Sequence, residues 1–281
     1  MKPTQWVKTP KGYVSIALVA LLAVASIAAQ DMKGIALAMV AVAAAVAVDV
    51  ICCLIEKRKR IMPDGAAITG LIVSMVLSTS TPWYVVAATA ILAILSKHIL
   101  TYKKKPIFNP AAVGLLLSIP VFHTQQSWWG AFGDLPAWLL LLVLIGGYAV
   151  ANRIHKFPQV FAFLGTYLIL LFVLGMGVLP VDGGMLQSGA LADALRPPFI
   201  NATLFFALFM LTDPPTSPAK VKEQIAFGIL AAAVGAVVYA FFGGLSYLFI
   251  GLLAGNLSHA FKAISTAQAS KQVRPAVKAN R

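Results

Sequence analysis

Ten apolar runs, separated by short polar connections, fill almost the whole chain, near residues 13–29, 33–55, 65–80, 83–98, 108–122, 136–152, 158–179, 199–212, 223–242 and 245–262. Little else is left from which to build a water-soluble surface. Charged residues make up 11% of the 281 residues and mean hydropathy is +0.87, whereas a soluble domain carries roughly 25% charged residues. A bilayer removes the need for that surface. The sequence therefore predicts an all-α polytopic membrane protein of about ten transmembrane helices, in one membrane domain over residues 13–262.

Charge placement sets the expected orientation. Of the 22 Lys and Arg residues, all but Lys33 and Arg196 fall in alternate connections or at the two chain ends, if there are ten helices. Lys57-Arg58-Lys59-Arg60 and Lys103-Lys104-Lys105 are the densest clusters. The positive-inside bias makes that face cytoplasmic, with residues 1–12 and the C-terminus on it, in the cytoplasmic membrane of a bacterium. The net charge of +13 is thus a matter of topology, and nucleic acid is not an expected partner. Lys2, Lys8 and Lys11 before an apolar run that ends in small residues at Ser26–Ala29 also fit a signal peptide; the loop charges favour an uncleaved first helix. Residues 263–281 are polar, with almost nothing to bury, and are expected to form a disordered basic tail beside anionic lipid headgroups.

Several runs fall short of the roughly 20 residues that cross a bilayer core. Such segments are tolerated where they face protein or a polar cavity. Two of them match each other: Thr69 to Pro82 can be laid on Thr203 to Thr216, each an apolar helix ending in a Ser/Thr/Pro-rich break, and Gly114-Leu-Leu-Leu117 on Gly251-Leu-Leu-Ala254. The offset predicts two five-helix repeats, about 13–122 and about 136–262. An odd helix number inverts the second repeat and puts the two breaks on opposite faces, with a binding site at the repeat interface.

Three motifs mark helix ends. Asp64 is placed to cap the third helix, with Gly65 letting the chain turn ahead of Thr69. Asn109 is placed to cap the fifth, with Pro110 at its first position. Thr212 and Asp213 close the eighth, where Pro214, Pro215 and Pro218 forbid continuation. Each is read either as helix punctuation or as a broken end offering free N–H and C=O groups to a cavity. In this order, Pro63-Asp64-Gly65, Ser96-Lys97-His98, Phe108-Asn109-Pro110 and Thr212-Asp213-Pro214 resemble the RnfD/NqrB family of membrane electron-transport subunits over roughly residues 10–262.

The resemblance implies a D/B-type subunit passing electrons through a flavin, with other redox subunits as partners. Asp64, Gly65, Thr69, Asn109, Pro110, Thr212 and Asp213 become candidate flavin-binding residues. Family members carry FMN on the threonine of a serine-glycine-alanine-threonine motif in the loop after the fifth helix. Here that loop, His123 to Asp134, lacks the motif, and Ser188-Gly189-Ala190 in another loop is followed by Leu191. Covalent FMN is not expected; riboflavin or FMN held without a covalent bond is. The alternatives are a small-solute channel or transporter, since the family's fold is said to resemble urea transporters, or a cofactor-free scaffold for a reductase. With neither a nucleotide-binding fingerprint nor an iron–sulfur cysteine set, the chain cannot oxidise NADH unaided.

The remaining polar residues read more plainly. Asp49, two turns before Glu56, is an intramembrane carboxylate and so a functional candidate or a hydrogen-bonded interfacial group. Cys52 and Cys53 are read as structural thiols. His98, His123, His155 and His259 fall at helix ends or loops with no convincing facing pair for haem. Trp83, Trp128, Trp129 and Trp138 are expected as interfacial anchors.

Overall fold

The computed structural model describes residues 3–133, 135–175 and 195–279. The Ser188-Gly189-Ala190 stretch and the acidic loop residues Asp134, Asp182 and Asp193 lie outside them. After a single turn at Pro3–Trp6, the described residues form ten apolar helices: α1 (Pro10–Ala28), α2 (Lys33–Ile55), α3 (Asp64–Val76), α4 (Trp83–Ile99), α5 (Pro110–Phe122), α6 (Leu140–Ile154), α7 (Phe157–Gly175), α8 (Phe199–Met210), α9 (Val221–Phe242) and α10 (Tyr247–Ala279). By length and composition α1, α2, α6 with its leading turn, α7, α9 and α10 are long and apolar enough to cross a membrane. The protein is a polytopic α-helical membrane protein. Large apolar side chains such as Ile145, Phe161, Ile169 and Phe242 stay exposed on its outside, where lipid rather than water is the solvent.

Hydrogen bonds and ion pairs show that the helices alternate. Trp6 and Lys8, before α1, bond to Asp64 at the start of α3 and Arg153 at the end of α6. Asp49 near the end of α2 pairs with Lys97 near the end of α4, and Asn109 at the start of α5 bonds to Met210 at the end of α8. Starts of odd helices and ends of even ones thus gather at a basic end. At the opposite end Ser127, after α5, donates its N–H to Val76 at the end of α3, and Asn201, in the first turn of α8, donates to Ala131 and Phe132.

Packing repeats between the halves. In the first, α1 packs on α3, α2 on α4 and α4 on α5; in the second, α6 packs on α8, α7 on α9 and α9 on α10. The equivalent pairs α1 and α6, and α5 and α10, touch each other, as elements beside a pseudo-two-fold axis do. Gly114 and Gly251 hold the same place in each half. A Cβ on Gly114 would lie 2.6 Å from the Ala93 Cβ on α4, and one on Gly251 2.3 Å from the Ala231 carbonyl oxygen on α9. Small residues let membrane helices approach this closely, where packing rather than water drives association.

The two breaks lie at opposite ends of the bundle. α3 and α5 have 13 residues each, about 20 Å at 1.5 Å per residue, against a core of about 30 Å. Irregular chain makes up the difference. The 123–133 loop turns inward and buries Trp128 and Phe132 completely, with Trp128 stacked on Phe249 of α10 at 5.5 Å. Trp128 and Trp129 are therefore not interfacial anchors: the loop must cover the end of α3, and Trp129 donates its indole N–H to the Ser74 carbonyl at 2.7 Å. Trp83 and Trp138 remain outside, 64% and 65% exposed.

Other boundaries move for local reasons. α3 stops at Val76, not 80, because Leu77 is extended and bridges to Gln126. A two-residue hairpin, Thr101–Tyr102 with Lys105–Pro106, joins α4 to α5 through Lys103 and Lys104 at φ 50° and 64°, both left-handed as a tight hairpin demands. α10 runs on to Ala279, through residues expected as an unstructured tail, whose Ala, Lys and Gln content is helix-forming.

Candidate functional site

At the basic end, a lattice of buried polar groups closes the break of α8 and joins α5, α7, α8 and α10. Asn109 is its centre, 4% exposed. Its Oδ1 caps α5 by accepting from the Ala112 N–H at 3.1 Å, with Pro110 at the first helical position. Its Nδ2 donates to the Met210 carbonyl at 3.2 Å, and its own N–H donates to Asn256 Oδ1 on α10 at 2.9 Å. The other half of the Asn256 amide donates to the Thr216 carbonyl at 2.9 Å. Gln159 of α7 donates to the Leu211 carbonyl at 2.7 Å. The carbonyls freed where α8 stops are thus taken up by amide side chains from two other helices. They are not open, as a broken end lining a cavity would leave them.

Lys156, a loop charge in the sequence, is 3% exposed. Its ammonium donates to Ser217 Oγ at 2.9 Å and to the Pro218 carbonyl, and burial brings it down to about 8 despite the nearby Asp213 carboxylate. Asp213 moves the other way. Loss of water around it pushes its carboxyl up to about 6, against the opposing pull of the Thr216 hydroxyl, which donates to it at 2.9 Å, and of Lys156. Thr212 bonds back to the Leu208 carbonyl at 2.8 Å, and Ser217 to the Asp213 carbonyl at 2.7 Å. The segment after α8 is a tightly paired turn beside one buried cation.

The other three candidates stand apart. Pro63, not Asp64, precedes the first residue of α3, and Asp64 accepts from the Trp6 indole N–H at 3.2 Å. Gly65 lies within the helix with open space where a Cβ would be, so it is not needed for a turn. Thr69 bonds back to the Gly65 carbonyl at 2.9 Å. The expected grouping therefore divides: Asn109, Pro110, Thr212 and Asp213 come together, while Asp64, Gly65 and Thr69 sit on α3. Lys156, Gln159, Ser217 and Asn256 complete the lattice unpredicted. An amide inside an apolar run was the available signal for Gln159 and Asn256, since such a group must find partners away from lipid.

A second polar feature lies at the opposite end. In the inward-turning loop the Gln126 side-chain amide (both atoms), Ser127 Oγ and the Trp128 indole N–H are buried without a hydrogen-bond partner among the described residues. Thr124, the threonine of this loop, shares a hydrogen bond with Ser118 at 2.7 Å.

Both halves also match one family. The pattern of the NQR2, RnfD, RnfE family covers residues 2–135 and, again, 123–257. The chain belongs to that family. Among relatives, the D subunit of the proton-translocating ferredoxin:NAD(+) oxidoreductase complex of Clostridium ljungdahlii is 26% identical over 223 residues, spanning 66% of this chain and 67% of that one. The D subunit of the ion-translocating oxidoreductase complex of Psychromonas ingrahamii is 23% identical over 256 residues, 69% and 73% of the two chains. Its counterpart in Klebsiella pneumoniae is 25% identical over 246 residues, 64% and 70%.

Proposed function

We propose that this chain is the D-type membrane subunit of an Rnf-like electron transport complex and that it holds a flavin, riboflavin or FMN, without a covalent bond. Membership of the family across both halves carries the first statement. The bacterial relatives, each named as the D subunit of such a complex, support a place in the cytoplasmic membrane, beside subunits that deliver and accept the electrons. Charge placement supports the basic end, with both chain termini, as the cytoplasmic one.

The flavin reading rests on the unpaired atoms of Gln126, Ser127 and Trp128. A buried donor or acceptor without a partner costs about 1–3 kcal/mol, so a group bearing donors and acceptors along one edge would recover that cost here. The isoalloxazine ring is such a group, and the aromatic wall of Trp128, Phe205 and Phe249 keeps water from it. A bound flavin supplies the electron-carrying chemistry that these side chains lack. Neither hydroxyl of the loop stands in the family's attachment motif, so no phosphoester is proposed. The lattice bordered by Asn109, Pro110, Thr212 and Asp213 is the competing seat. Its groups match the same ring edge, but each would have to exchange a hydrogen bond already made, so the loop is favoured.

The test is flavin content and melting temperature of the purified protein, measured on the same preparations. Native protein is expected to release flavin on denaturation and to leave no fluorescent band on a denaturing gel. Ser127→Ala and Gln126→Ala should lower occupancy at least several-fold with little change in melting temperature. Asn109→Ala should lower stability and occupancy in parallel. A flavin-free preparation overturns the cofactor, a fluorescent band overturns its non-covalent attachment, and selective loss of flavin in Asn109→Ala moves the seat to the lattice.

A further inference from the structure

The cluster around Asp49 has no part in the flavin reading, and its chemistry points elsewhere. Asp49 and Cys53, one turn apart on α2, share a helix face and are 2% and 4% exposed. His98 of α4 projects between them with its side chain 5% exposed. A carboxylate oxygen, the Cys53 Sγ and an imidazole nitrogen all lie within 4.8 Å of one another. Tetrahedral zinc, with bonds of about 2.0–2.3 Å, spaces its ligands about 3.3–3.6 Å apart. The His98 Nε2 to Asp49 Oδ1 distance of 2.8 Å and the 4.8 Å limit bracket that range. The opposite ring nitrogen, Nδ1, lies 2.6 Å from Glu56 Oε1. A carboxylate on the far nitrogen is the outer-shell arrangement that orients metal-bound histidines.

We propose that Asp49, Cys53 and His98 bind one zinc ion, with water as the fourth ligand, and that the ion clips α2 to α4 at the basic end of the bundle. Charge permits the exchange. Cys53 binds as the thiolate, so zinc takes the place of its proton, and the two carboxylates against the His98 ring, Asp49 and Glu56, offset the charge of the dication. Lys97 bonds the same Asp49 oxygen at 2.6 Å and competes for it, but a carboxylate has a second oxygen to offer. Glu56, 34% exposed at its side chain, gives the ion a route from the surface. A mixed sulfur, nitrogen and oxygen set suits zinc better than calcium or magnesium, which take oxygen.

Cobalt(II) is the probe, because thiolate ligation gives it a strong charge-transfer absorption and tetrahedral geometry intense visible bands. Detergent-purified full-length protein, stripped with chelator, is expected to take up one cobalt with both signals and to yield it to zinc. Cys53→Ser should abolish the charge-transfer band, whereas Cys52→Ser should leave it unchanged. Glu56→Gln should weaken binding about 10–100-fold, and Lys97→Met should tighten it. Because a variant can fail to fold, each is checked by helical circular dichroism, and the wild-type titration stands on its own. No stoichiometric uptake, or uptake indifferent to Cys53→Ser in a folded protein, overturns the site and leaves an ion-pair cluster.

Discussion

Asp213 stands in the turn that follows α8, where the Thr216 hydroxyl donates to its carboxylate. Its neighbours Pro214 and Pro215 announce a helix end, yet nothing in them says that the carboxyl lies beside a buried lysine and is pushed up to about 6. The sign of the effect follows. The unfolded carboxyl, near 3.8, releases its proton before the folded one does. Ionisation at Asp213 therefore stabilises the unfolded chain, and stability falls as pH rises from about 4 to 6. Asp213→Asn keeps an acceptor for Thr216 and removes the titration. Relative to wild type, the variant should gain stability across that window by about 1–2 kcal/mol, a full shift discounted for partial exposure. Melting temperatures of both proteins at pH 4.5 and 7 measure it, and a constant difference between them would show that the carboxyl does not titrate as described. Asn109 was legible as a cap because Pro110 follows it. Its bonds to Asn256 and to the Met210 carbonyl were not, since they join residues 147 and 101 positions apart.

Among elements, the pair Gly114 and Gly251 is the most direct evidence of the repeat. Laying one apolar stretch on the other picks out both, and both prove to be the point where α5 meets α4 and α10 meets α9. Any side chain added there meets backbone or a neighbouring Cβ at under 3.0 Å. Gly251→Val should cost more than Gly114→Val, because the added Cβ lies 2.3 Å from the Ala231 carbonyl oxygen, against 2.6 Å from the Ala93 Cβ and 2.8 Å from the Thr89 carbonyl oxygen at Gly114. Overpacking of this kind costs about 1–3 kcal/mol. Thermal melts of the two variants beside wild type check it, and tolerance of both would mean that the interfaces are looser than described. Helix existence was readable from apolar runs; α3 ending at Val76 was not, because the loop that pairs with it lies about 50 residues away.

At the scale of the whole molecule, basic loops, alternating helices and bonded ends agree on one basic face. Reporter fusions after Arg60, Lys104 and Lys262 are expected to read cytoplasmic, and fusions near Asp134 and Asp193 extracytoplasmic. Two or more reversals would overturn the ten-crossing topology.

Sequence by itself determined the solvent, the apolar helices, the family and the breaks that mark the start of α5 at Asn109 and the end of α8 at Asp213. These depend on local composition: a run of apolar side chains partitions into lipid, and proline stops a helix, whatever the rest of the chain does. Tertiary structure decided which polar groups face one another. Lipid offers no hydrogen bonds, so most polar groups inside the bundle bond to distant parts of the chain, and those of Gln126, Ser127 and Trp128 are left without a partner among the described residues. Pairings such as Asn109 with Asn256, Lys156 with Ser217 and Asp49 with His98 are set by packing geometry alone.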